Sequence, residues 1–130
     1  MASVFSKIIS GEVSCYKIAE DKDHLAFLDI YPLEQGHVLV IPKKEVDNIF
    51  DLSADEYARL FAFSHQVGKA IEKAVPCVKV GIAVVGLEVP HAHVHLIPLQ
   101  NVSDLDFTRP KKQYTAESFE LIRQKIVAQL

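Results

Sequence analysis

Three histidines alternate with small or branched apolar residues between His91 and His95, in the order His-Ala-His-Val-His. This alternation predicts a β-strand, because successive side chains of a strand point to opposite faces of its sheet. The strand would carry three imidazoles along one face, about 6.5–7 Å apart, and would turn Ala92 and Val94 into a core. We favour a functional role for this row over an exposed strand that merely happens to be rich in histidine.

The rest of the chain shows the same mixture of strand and helix signals. Ser3 is placed to cap a short helix that Gly11 ends. Ser53 and Glu56 form a capping box, which predicts a long amphipathic helix that stops before Pro76. Thr115 is placed to cap a last helix. The predicted strands span residues 16–20, 25–28, 37–41, 79–85 and 92–97.

This order of elements predicts an α+β domain. We expect about five mostly antiparallel strands covered by one long helix, with short helices at the N-terminal and C-terminal ends. A chain of 130 residues has room for one core, so residues 1–130 are assigned to a single domain. Residues 4–99 would form its core and residues 100–130 a C-terminal extension, in which 101–114 are polar and irregular.

Charge and composition narrow the possible partners. The formal net charge is −3, which provides no basic field for a nucleic-acid backbone. The longest apolar stretch, residues 81–89, is much shorter than the roughly 20 residues of a membrane helix. Cys15 and Cys77 suit a reduced core better than a disulfide framework. The N-terminus lacks a secretory signal. We therefore expect a cytoplasmic protein that binds neither nucleic acid nor membrane.

Two chemistries suit the histidine row, and its spacing does not decide between them. Alternate histidines on a strand can ligate zinc, and three histidines with an open position make a catalytic zinc site. A neutral imidazole is also a good nucleophile near neutral pH, and its neighbours can position it and move protons.

The longer string from residue 89 to residue 98 resembles the His-x-His-x-His signature of the histidine-triad (HIT) family. Further motifs of that family are matched in order by residues 5–9, 11–12, 26–32 and 36–44. The similarity therefore extends from about residue 4 to residue 98. It implies the HIT-like fold, a homodimer with sheets joined across the two chains, and a purine nucleotide as the small-molecule partner of each protomer. No cofactor is implied.

The resemblance also implies roles for particular histidines. His93 would attack the α-phosphorus and form a nucleotidyl-histidine intermediate. His95 would hydrogen-bond the phosphate, His91 would orient the group and His37 would support it. The reaction would be hydrolysis of nucleoside phosphoramidates or dinucleoside polyphosphates. Two alternatives stay open: a nucleotide-binding regulatory module with little turnover, and a zinc-dependent hydrolase with His91, His93 and His95 as ligands.

The substrate-binding residues are likewise implied by the resemblance. Asp29 would accept both ribose hydroxyls, although an Asp before Tyr31 and Pro32 is also a good turn former. The residues expected to line the base pocket are Phe5, Ile8, Val13, Phe27, Leu28 and Ile30, each of which is simply a core residue on sequence alone. Gly86 and Glu88 belong to the loop that precedes the histidines and complete the expected set.

The chain departs from the family pattern at four positions. Leu87 stands where Gln is common, and Glu88 stands where a hydroxyl residue is common. Leu87 cannot form a hydrogen bond, and an ionised Glu88 would repel phosphate. Ser3 and Ser6 match the positions of a Cys-x-x-Cys that helps some bacterial relatives bind a structural zinc. Hydroxyls are poor zinc ligands, so we expect no metal in this chain.

Overall fold

Side-chain caps fix the starts of the three α-helices. Ser3, Ser53 and Thr115 each accept a hydrogen bond from the backbone N–H three residues further on, which satisfies a donor that the first turn leaves free. The helices are α1 (Val4–Ser10), α2 (Ala54–Ala74) and α3 (Ala116–Val127). The three predicted caps are therefore confirmed. This computed structural model describes residues 3–130.

Within residues 3–130, five strands form one sheet in the order β1-β2-β3-β5-β4. Each neighbouring pair is antiparallel, so the predicted α+β class is confirmed. The strands are β1 (Lys17–Glu20), β2 (His24–Leu28), β3 (Val38–Pro42), β4 (Lys79–Ala83) and β5 (Val94–Leu99). Pairing of β3 with β5 places Leu39 opposite His95. This register joins two segments that are far apart in the sequence.

The main core lies between the sheet and α2. The helical spacing of Leu60, Val67 and Ile71 puts these side chains on one face of α2, where all three are buried. Val94 and Leu96 of β5 meet them from the sheet. A smaller apolar cluster lies on the other face of β2 and β3, beneath α1; its buried members are Phe5, Leu25, Phe27, Leu39 and Ile41. The central strands are therefore covered on both faces.

Two strand predictions need correction. The strand expected at 79–85 ends at Ala83 and lies at the sheet edge, where Ile82 is 54% exposed. The strand expected at 92–97 begins at Val94. Its first part is lost because the Ala92 N–H donates to the carbonyl of Val46, outside the sheet.

No helix between residues 3 and 130 combines the length and apolar character needed to cross a lipid bilayer.

Candidate active site

A tight turn before β3 places His37. Gly36 has φ of 91°, a left-handed conformation that glycine adopts without strain. A Cβ at this position would lie 2.9 Å from Cγ2 of Val75, so the turn also packs closely against the end of α2. The His37 carbonyl accepts the Asp29 N–H, which ties the turn to the end of β2. His37 is thereby fixed beneath the sheet and is 2% exposed.

A chain of hydrogen bonds sets the proton positions on His37 and His95. The Leu33 N–H donates to Nδ1 of His37 at 3.1 Å, so Nε2 of the neutral ring carries the hydrogen. Nε2 of His37 in turn donates to Nδ1 of His95 at 2.9 Å. The hydrogen of a neutral His95 therefore sits on Nε2. Burial is the main cause that lowers the pKa of His95 to about 4 and the pKa of His37 well below its usual value.

His93 presents a free lone pair beside this chain of hydrogen bonds. Its Nδ1 donates to the carbonyl of His91 at 2.7 Å, so Nε2 of the neutral ring is unprotonated. The rings of His93 and His95 lie 4.8 Å apart between centroids, edge to face, and Phe5 packs against the other side of His93 at 5.0 Å. Burial lowers the pKa of His93, although the charges of Asp29 and Glu88 act in the opposite direction. A neutral imidazole with a free lone pair has the chemistry of a nucleophile near neutral pH.

His91 lies on the same side of its segment as His93, since the Phe5 ring packs edge to face against both imidazoles. Its ring is fully buried, and Nε2 donates to the carbonyl of Pro42 at 2.8 Å. Nδ1 lies 3.4 Å from the Ser3 hydroxyl, which donates to it. Because both ring nitrogens are engaged, His91 braces the end of β3 against the start of α1.

Asp29 forms the turn and also keeps one carboxylate oxygen for a ligand hydroxyl. Oδ1 accepts the Tyr31 N–H at 2.8 Å, as a turn-forming Asp does. Oδ2 lies 3.6 Å from Nε2 of His37, and since that His37 nitrogen already donates to His95, Oδ2 can still accept a ligand hydroxyl. Burial is the main cause that raises the pKa of Asp29.

The predicted base-pocket residues fall into three groups. Phe5, Phe27 and Ile8 lie together in the cluster beneath α1, where Phe5 packs against His93. Val13 and Ile30 are 37% and 52% exposed. Leu28 belongs instead to the main core under α2, because it alternates with Phe27 along β2 and points to the opposite face. Its role in the base pocket stays a prediction.

Gly86, Leu87 and Glu88, in the loop before the histidines, have different surroundings. Gly86 has φ of 71°, with no atom near the position of a Cβ. Leu87 is 88% exposed. Glu88 is also exposed, and within residues 3–130 it forms neither a hydrogen bond nor an ion pair. Its charge nevertheless raises the pKa of both His93 and Asp29, so its carboxylate lies near the site.

Two further residues at the site were not predicted from the sequence. The Phe107 ring packs edge to face against His95 at 4.7 Å between centroids. The ammonium of Lys111 lies 5.8 Å from the centroid of Phe107. Both belong to the irregular segment 101–114, which has no periodic pattern from which such contacts could be predicted.

The fold and the histidine geometry together define the class of this protein. The HIT domain family model matches residues 10–102, and the chain belongs to this family. It is 36% identical over 102 residues to the adenosine 5'-monophosphoramidase of Schizosaccharomyces pombe, covering 78% of this chain and 77% of that protein.

Solved structures agree with this assignment. A Hit-like protein involved in cell-cycle regulation from Bartonella henselae, solved with an unknown ligand, superposes with a TM-score of 0.86 at 28% identity, covering 98% of this chain and 96% of that one. A zinc-bound histidine triad family protein from Mycobacterium smegmatis superposes with a TM-score of 0.81 at 30% identity, covering 98% and 95%.

The residues of this chain do not fit a structural zinc near α1. Ser3 and Ser6 place their hydroxyl oxygens 3.3 Å apart, and neutral hydroxyls bind zinc poorly beside thiolates. Nδ1 of His91, the nearest imidazole nitrogen, already accepts a hydrogen bond from Ser3. A hydrogen-bond network therefore occupies this position.

The histidines also fit a catalytic metal poorly. His91 cannot join His93 and His95 in a three-histidine site, because both of its ring nitrogens are engaged elsewhere. The ligand atoms of Asp29, His37 and His95 do lie within 4.8 Å of one another. However, the Leu33 N–H holds the His37 tautomer whose Nε2 carries a hydrogen, and a metal needs the lone pair of that nitrogen.

Proposed function

We propose that this protein is a nucleotide hydrolase that cleaves nucleoside phosphoramidates or dinucleoside polyphosphates at the α-phosphorus. The observation that carries the proposal is the pair of opposite tautomers at adjacent rings. Nε2 of His93 has a lone pair because Nδ1 donates to His91, whereas Nε2 of His95 has a hydrogen because Nδ1 accepts from His37. A nucleophile and a phosphate-oxygen donor therefore stand side by side.

The reaction would proceed in two steps. Nε2 of His93 attacks the α-phosphorus, and the bond from phosphorus to the amine nitrogen or bridging oxygen breaks. An amine leaving group takes a proton from solvent, which the attacking water of the second step returns, whereas a phosphate leaving group departs as the anion. His95 donates its Nε2 hydrogen to a non-bridging oxygen and stabilises the developing charge. Water then attacks the nucleotidyl-histidine, which releases a nucleoside monophosphate and restores neutral His93. Each step conserves charge and needs no external oxidant or reductant.

A purine nucleotide is the substrate that we favour. Phe5, Phe27 and Ile8 provide an apolar surface beside His93, which suits a base. Oδ2 of Asp29 is placed to accept ribose hydroxyls. The phosphoramidase activity named for the relative in Schizosaccharomyces pombe supports a phosphoramidate as the substrate.

Turnover of adenosine 5'-phosphoramidate, measured alongside AMP binding, tests this proposal. We expect release of AMP that survives exhaustive chelation, since the tautomers leave no free ligand set for zinc. AMP binding without turnover would instead support the regulatory alternative, which the exposed Glu88 near the phosphate position favours. Activity that is lost on chelation and restored by zinc alone would support the zinc-dependent alternative.

We also propose a homodimer joined at β4. This strand lies at the sheet edge, and Ile82 within it and Val84 and Val85 just after it are exposed. An unpaired apolar edge invites pairing with another strand. Light scattering should report about twice the chain mass of 14.5 kDa, and a monomer at micromolar concentration would contradict this. The cytoplasmic location remains a prediction.

A further inference from the structure

The C-terminal segment that follows β5 folds back over the histidine site. Its return is held by Glu34, in the loop before His37: Arg109 lies 3.3 Å and Lys112 lies 3.1 Å from the Glu34 carboxylate. The Lys112 N–H also donates to the carbonyl of Pro32 at 2.9 Å. The segment is thus fastened to the loop that positions His37.

This attachment brings Phe107 and Lys111 to the site. Phe107 covers one edge of the His95 ring. Lys111 donates from Nζ to the carbonyl of Phe107 at 2.6 Å, and the same ammonium lies beside the Phe107 ring. An ammonium has three hydrogens, so two donors remain for another acceptor.

Lys111 differs from the other two cations of the segment. Arg109 and Lys112 are both paired with Glu34, whereas Lys111 forms no ion pair with any carboxylate in residues 3–130. Its positive charge contributes to lowering the pKa of Asp29, His37 and His95. These shifts place the ammonium within electrostatic reach of the site from the side of Phe107.

The site needs such a cation if it binds a phosphate. The chain carries a net charge of −3, and the carboxylates of Asp29 and Glu88 both lie near His93. The histidines are neutral at pH 7 because burial lowers the pKa of His37, His93 and His95. A dianionic phosphate would therefore meet two negative charges, and a flexible lysine is a common means of offsetting them.

We propose that Lys111 is a substrate-binding residue, which contacts the phosphate of a nucleotide held against His93 and His95. This inference rests on the proposed function and deepens it, because it assigns phosphate recognition to the C-terminal segment. Phe107 anchors the lysine stem and excludes water from the His95 ring. The alternative is a purely structural role, in which Lys111 only braces the Phe107 carbonyl. The test must distinguish this role from phosphate binding.

Calorimetric binding of AMP and of adenosine separates the two roles. Lys111→Gln should weaken AMP binding about tenfold, the effect of losing one charge-assisted contact. It should leave adenosine binding within about twofold, because adenosine has no phosphate. Lys111→Arg keeps the charge and should retain most of the AMP affinity. Lys69→Gln, on the exposed face of α2, is the control, since it removes one positive charge outside the C-terminal segment.

Three results would overturn the proposal. AMP affinity that is unchanged in Lys111→Gln would show that the lysine does not meet the phosphate. An equal loss for AMP and adenosine would indicate a structural role, and an equal loss in Lys69→Gln would indicate a general charge effect. Thermal melting of each variant checks that the fold is retained. If the wild-type protein binds neither ligand, the proposed function itself fails and this inference fails with it.

Discussion

Nε2 of His37 lies 2.9 Å from Nδ1 of His95, although 58 residues separate the two histidines in the sequence. Pairing of β3 with β5 makes the contact possible, because Leu39 faces His95 across the sheet. The backbone of Leu33 sets the tautomer of His37, and His37 sets that of His95. A backbone amide therefore determines which nitrogen of His95 faces a ligand as a donor.

Buried neutral histidines predict a loss of stability in mild acid. The pKa of His95 is about 4 in the folded protein against an ordinary value of 6.5. Below pH 6.5, His95 binds a proton in the unfolded chain but stays neutral in the folded protein. The free energy of unfolding therefore falls as the pH falls. Between pH 7 and pH 5, His95 alone should account for about 2 kcal/mol. Chemical denaturation across this range measures the decrease.

A pair of variants tests whether His95 causes that decrease in stability. His95→Gln should make the pH dependence shallower, whatever it does to the absolute stability at pH 7. His65→Gln, on the exposed face of α2, should leave the dependence unchanged. The same dependence in His95→Gln as in the wild type would contradict the proposed origin.

The turn at Gly36 supports a second prediction. Gly36→Ala would force a Cβ onto a backbone with φ of 91° and to within 2.9 Å of Cγ2 of Val75. Gly11→Ala meets nearly the same strain, since Gly11 has φ of 87°, but no atom lies near its Cβ. We expect Gly11→Ala to lower the free energy of unfolding by about 1 kcal/mol and Gly36→Ala by about 2–4 kcal/mol. Equal losses in denaturation experiments would mean that the packing against Val75 relaxes freely.

Glu88 supports a third prediction, on the enzyme reaction. Its carboxylate raises the pKa of His93 and would repel a phosphate. Glu88→Gln and Glu88→Ser should therefore raise kcat/KM on a neutral-amine phosphoramidate several-fold above pH 6. An effect of this size is expected when one charge that solvent and salt screen is removed. The acid limb of the pH profile should also move to lower pH, because His93 loses a neighbour that favours its charged form.

Glu72→Gln, on the exposed face of α2, provides the control for these profiles and should not alter them. A fall in kcat/KM for both Glu88 variants would contradict the repulsion argument, and would instead make Glu88 the acid that protonates the leaving group.

Local patterns predicted the fold well, and the site only in part. Alternation correctly placed Ala92 and Val94 in the core, because burial on a strand follows a period of two. The same rule could not reveal what holds His91, since its partners, the Pro42 carbonyl and Ser3, are both distant in sequence. No local pattern could reveal Phe107, since its contact with His95 depends on how the segment attaches to Glu34.

The central claim is that His93 is the covalent nucleophile. His93→Ala removes the reaction path but only one of several contacts to a nucleotide. It should therefore reduce kcat to below about 1% of the wild-type value while leaving AMP affinity within a few-fold. Calorimetry and steady-state kinetics on the same preparation measure both quantities.

The most direct measurement is acid quenching of the enzyme during turnover of adenosine 5'-phosphoramidate, followed by mass spectrometry of its peptides. We expect an adenylyl group on His93 and no such adduct in His93→Ala. An adduct on His91, His95 or His37 instead, or undiminished turnover by His93→Ala, would contradict the account.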